Sequence, residues 1–131
     1  MTGKELSRLW CLKREIECEE RRLHRLEDAA TNISAKISGF PFCGGAGSDK
    51  TALGAEIADA KAIITAKQVQ AAAEYNRLMR YISTIDDSYI RQIMELRHID
   101  LYSWVKVARV IGGSNTADSV RMAHDRFLRK K

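Results

Sequence analysis

The chain has 131 residues, a mass of 14.8 kDa, 45% hydrophobic residues and a net charge of +5, which fits one domain with enough apolar material for a packed core. Its mean hydropathy of −0.32 and 30% charged residues suit a protein in water. No apolar run approaches the roughly 18 residues of a membrane span or the core of a signal peptide, so a cytoplasmic location without membrane contact is expected.

Glycine and proline punctuate structure, and here they are sparse. There is one proline, Pro41, and six of the eight glycines fall within 39–47 and 112–113. The long stretches between them predict an all-α protein. Residues 5–37 carry a heptad pattern: Leu9, Ile16, Leu23, Ala30 and Ile37 form one line, and Leu12, Glu19, Leu26 and Ile33 the other. The spacing predicts a coiled-coil helix with Glu19 as the one charge in its seam.

Residues 38–50, with Pro41 and Gly44–Gly45, read as a Gly-rich linker, and Ser48 or Asp49 can cap the next helix. Gly44, Asp49, Lys50 and Thr51 nearly spell a phosphate-binding loop. However, Asp49 stands where that motif needs glycine, and no strand precedes it. No nucleotide is expected.

A second helix is predicted over 51–85, with Ile57, Ile64, Ala71, Leu78 and Ile85 on one line and Leu53, Ala60, Lys67, Glu74 and Tyr81 on the other. Folding the two arrays together predicts a long antiparallel helical hairpin over 1–85. In that register Glu19 opposes Lys67, and Glu74 lies near Leu12, Lys13 and Arg14; slipped registers leave a seam charge repelled or unpaired. The same seams also allow a homodimer.

Residues 86–131 form the second predicted unit. Asp86, Asp87 and Ser88 gather capping groups ahead of a helix that turns Ile90, Ile93 and Met94 inward. His98, with no other His or Cys nearby in sequence, reads as a surface residue at that helix's end. Ser103 caps WVKVARVI, whose Trp104, Val107, Ala108 and Ile111 share one face. Gly112 and Gly113 end it, and Ser114 or Asn115 caps a last helix with Val120, Ala123 and Phe127 inward.

Two short helices joined by a glycine turn, the second ending in Arg129, Lys130 and Lys131, read as a helix-turn-helix. The stretches ELRHIDLYSWVKVARVIG and NTADSVRMAHDRFL resemble the region-four helix-turn-helix of sigma-70-type factors. They resemble in particular small regulators from bacteriophages and prophages of low-GC Gram-positive bacteria, and the likeness covers roughly residues 86–129. It implies a DNA-binding transcriptional regulator whose last helix reads the major groove of double-stranded DNA, with the hairpin dimerising or docking on RNA polymerase.

On the helical wheel the candidate contacts are Ser114, Asn115, Thr116 and Ser119 near the helix start, then Arg121, Met122, Arg126, Arg129 and Lys130. Asp118 and Asp125 interrupt this surface with charge that repels phosphate. A structural or assembly protein such as a small terminase subunit, which also joins a helix-turn-helix to oligomerising helices, is the alternative. Cys11, Cys18 and Cys43 form no CxxC pair, and no carboxylate pair, Ser–His spacing or metal cluster stands out. No enzyme activity, metal or cofactor is therefore expected.

Overall fold

The computed structural model describes the backbone of residues 1–37 and 46–130, and the side chains of 1–33 and 51–130. Every described element is helical: α1 Gly3–Leu6, α2 Arg8–Ile37, α3 Ala46–Ser83, α4 Ser88–His98, α5 Trp104–Ile111 and α6 Ala117–Arg129. No helix among the described residues is long and apolar enough to cross a membrane.

The helix starts have local causes. Thr2 and Glu5 form a reciprocal capping box at α1, the T-x-x-E pattern that satisfies two otherwise orphan backbone donors. Ser7, whose hydroxyl donates to the Gly3 carbonyl at 2.9 Å, separates α1 from α2, as a serine bonding back one turn tends to bend a helix. The single helix expected over 5–37 is thus two. α3 begins at Ala46, not at 51, which puts Ser48 and Asp49 inside its first turn and removes them as caps. The rest of the expected linker, 38–45, and the side chain of Lys50 lie outside the described residues.

The chain divides into two compact units. The first joins residues 1–12 to residues 70–131. Its core draws Leu6 and Leu9 from the chain start, Leu78 and Ile82 from the end of α3, Ile85 from the turn after it, Ile93 and Met94 from α4, Val107 from α5 and Val120 from α6. Leu6, Leu78, Ile93, Met94, Val107 and Val120 keep no exposed surface. Asp87 caps α4 by accepting from the backbone of Tyr89 and Ile90 at 2.9 and 3.3 Å. Arg91 donates to the Ile85 carbonyl at 2.9 and 2.7 Å, tying the end of α3 to α4. Buried Glu74 takes its charge partner from its own helix, Arg77 at 2.9 Å, and the same guanidinium reaches Glu5 at 2.9 Å. Glu74 lines one cavity with Leu12, as expected, and Arg14 pairs with Glu17.

The second unit spans residues 13–69. Ile16, Glu19, Leu23, Leu26 and Ile33 on α2 are half-buried, as are Leu53, Ile57 and Lys67 on α3, while Ala60 and Ile64 are buried. These are the two heptad lines. Lys67 pairs with Glu15, and Lys61 with Glu27 at 3.7 Å. The expected Glu19–Lys67 pair is therefore corrected by one turn. Glu15 is half-exposed and keeps water on its remaining lone pairs, so pairing there desolvates less charge than pairing within the seam. Glu19 instead lies 3.7 Å from Arg22.

Candidate nucleic-acid interface

α6 is positioned from its N-terminal turn. α5 ends in Gly112 and Gly113 at φ 74° and 68°, left-handed backbone that favours glycine. The α6 cap is Thr116, not Ser114 or Asn115: Thr116 Oγ1 accepts from the Ser119 backbone at 3.1 Å, and Ser119 Oγ accepts from the Thr116 backbone at 2.9 Å. Asn115 is drawn elsewhere. Its Oδ1 accepts from the Tyr89 hydroxyl and its Nδ2 donates to the Gly112 carbonyl, both at 2.8 Å. This bolts the α5–α6 turn to α4.

One side of α6 faces the core through Val120 and His124, with Ala123, Phe127 and Leu128 partly covered. The other side carries Asp118, Arg121, Met122, Asp125, Arg126 and Arg129, all exposed. At 100° per residue they span an arc of about 140°. Met122 is 56% exposed. Asp118 stands in the first turn and Arg126 and Arg129 in the last, the order that suits the helix dipole.

The two acids are engaged: Asp118 lies 3.5 Å from Arg121, and Asp125 accepts from His124 Nδ1 at 3.0 Å. Ser114 and Thr116 are exposed, and Lys130 is the C-cap of α6. The nine expected contact residues therefore occupy one turn and the helix it launches. Within that set, the Asn115 amide and the Ser119 hydroxyl are already engaged by the fold.

Behind the exposed arc lies a feature that sequence reasoning missed. His98 is not a surface residue. It and His124 are 8% and 6% exposed, and their Nε2 atoms approach to 2.9 Å. The Trp104 ring meets His124 edge-on at a centroid distance of 5.1 Å, and the Arg97 guanidinium lies 4.6 Å above Trp104. Arg97 also donates to the Tyr102 carbonyl at 2.7 Å.

A cavity of about 460 Å³ opens beside the two rings. Desolvation, then the charges of His124 and Arg97, push the His98 pKa down to about 4 against an opposing hydrogen bond from the Leu6 backbone. A signal did exist: His98 and His124 each stand one helical turn beyond a buried residue, Met94 and Val120 respectively.

Among the described residues no three His, Cys, Asp or Glu side chains stand close enough to hold a metal ion. Cys11 and Cys18 are free and exposed, and Cys43 lies outside the described residues. No protein-family model, curated protein or solved structure matches this chain.

Proposed function

We propose that the chain is a DNA-binding transcriptional regulator of phage type, with α5 and α6 as a helix-turn-helix that sets α6 in the major groove. One observation carries this reading. α6 packs one face on the core and leaves Arg121, Met122, Arg126 and Arg129 on an exposed arc, the disposition that a groove-reading helix needs. Pairing of Asp118 with Arg121 and the hydrogen bond that Asp125 accepts from His124 soften the repulsion that two free carboxylates would exert on phosphates. The Tyr89–Asn115–Gly112 bonds supply the rigidity that base readout demands.

α2 and α3 form an antiparallel hairpin in this reading. Its support is that Glu15 pairs with Lys67 and Glu27 with Lys61, so the partner number falls along α3 as it rises along α2. The hairpin is the arm for a second copy or for RNA polymerase.

In vitro selection from a pool of random duplexes, followed by fluorescence anisotropy, tests the reading. Arg121→Ala and Arg126→Ala are expected to weaken the selected duplex by about 1–3 kcal/mol each and to relax its sequence preference. Arg129→Ala and Lys130→Ala are expected to weaken all duplexes alike and to lower the salt slope by about one. A pool that shows no enrichment, or folded arginine variants that bind as the parent does, refutes it.

A further inference from the structure

The buried histidine pair joins α4 to the face of α6 opposite the exposed arc, and its hydrogen-bond count is informative. The Asp125 carboxylate only accepts, so His124 carries a hydrogen on Nδ1 and turns the Nε2 lone pair toward His98. The Leu6 backbone hydrogen-bonds the His98 ring in the sense that favours a protonated ring. The Leu6 N–H is spent on the Thr2 carbonyl, so it is the Leu6 carbonyl that accepts from His98.

Three places therefore ask for an N–H: Asp125, Leu6 and the gap of 2.9 Å between the rings. Two neutral imidazoles supply two. One added proton fills the third place, with His124 Nε2–H donating to His98 Nε2. A second proton has only His98 Nε2 to occupy. It breaks the inter-ring bond, sets N–H against N–H and puts two like charges together away from water.

We infer that the His98–His124 pair is a proton-operated latch that seats α6 on α4, holding through the first proton and releasing at the second. The inference rests on the reading of α6 as the DNA-contacting helix, whose regulation it names.

The surroundings set the direction. From α4, Arg97 opposes a charge on His98; from α6, Asp125 is the one carboxylate on the cavity wall among the described residues; from α5, Trp104 offers an aromatic edge; from the chain start come the Leu6 carbonyl and the Cys11 thiol. Among the described residues a single acid therefore faces the pair, enough to match one positive ring and not two. The adjoining cavity gives water a way to the rings, so the proton arrives without global unfolding.

The test is a pH titration from 7.5 to about 4 at fixed ionic strength, on the parent and on His98→Gln, whose amide still reaches His124 but does not titrate. Near-UV circular dichroism reads the packing of the aromatic rings, Trp104 and Trp10 on the cavity wall among them, and anisotropy reads affinity for the selected duplex. The parent is expected to lose its near-UV band and at least about tenfold in affinity toward the acid end, while His98→Gln keeps both. Added positive charge alone tightens DNA binding, so a loss on acidification marks the latch. A parent band that stays constant, or a variant that falls with the parent's midpoint, overturns it. A near-UV transition without duplex binding at any pH refutes the DNA reading and leaves the latch standing. Should His98→Gln not fold, imidazole nitrogen NMR of the parent decides: stepwise protonation of the two rings supports the latch, and simultaneous protonation refutes it.

Discussion

The unit that contains α4, α5 and α6 and the unit spanning residues 13–69 use similar side chains to different effect. In the first, Ile93, Met94, Val107 and Val120 are fully enclosed, because helices approach them from several directions. In the second, Ile16, Leu23 and Leu26 remain half-buried, and only Ala60 and Ile64 among its described residues are buried. A seam between two helices has one covered side. At about 25 cal/mol per Å² of apolar surface, a half-covered leucine returns roughly half of what a core leucine does. A regular heptad is therefore a strong signal of structure and a weak one of stability.

The largest expected effects test that contrast directly. Ile93→Ala and Met94→Ala should each cost about 2–5 kcal/mol, whereas Leu23→Ala should cost about 1 kcal/mol or less, since water already reaches the site. Urea denaturation measures both, and equal losses would break the comparison.

Acid comes next. Burial keeps His98 neutral, with a pKa of about 4 against an ordinary 6.5, so between those values the unfolded chain binds more protons than the folded one. Stability is then complete above about pH 6.5 and falls by about 1.4 kcal/mol per pH unit toward pH 4, a loss on the order of 3 kcal/mol. Denaturation midpoints independent of pH across that window would contradict it.

Smaller effects belong to the caps and the surface pairs. Asp87→Ala removes the acceptor of two α4 backbone donors and should cost about 1 kcal/mol. Thr116→Ala should cost about the same and, unlike Asp87→Ala, should also weaken duplex binding, because it frays the start of α6. The Glu15–Lys67 pair, with side chains 54% and 25% exposed, should show a coupling of about 0.2–1 kcal/mol in a double-mutant cycle. Replacing Glu19 in the same cycle should give less.

Features set by neighbours in sequence are legible; those set by distant ones are not. The heptad lines on α2 and α3 are visible because one helix's period announces which face will be covered. Asp87 and Ser103 are recognisable as caps from the residues beside them. Ser114 or Asn115 is the cap expected on local grounds where Thr116 is the cap found, since nothing nearby reveals that Tyr89 claims the asparagine amide. The early start of α3 at Ala46 runs against the glycines just before it. His98 reads as a surface residue because its partner is 26 positions away. The exposed arc of α6 follows from helical spacing alone, while the buried pair behind it requires the tertiary fold.

Leu6 and Leu9 lie in the same core as Val107 and Val120, and this bears on how the protein is made. A ribosome adds roughly 5–20 residues per second, so the two leucines emerge before α4, α5 and α6 and wait several seconds for the helices that will cover them. Contacts between such distant parts of a chain form late and slow the search for the native state. During synthesis the nascent chain therefore carries two core leucines with no native partner. A fragment containing only residues 86–131 would meet the complementary problem, with Met94 and Val107 made but their covering leucines absent.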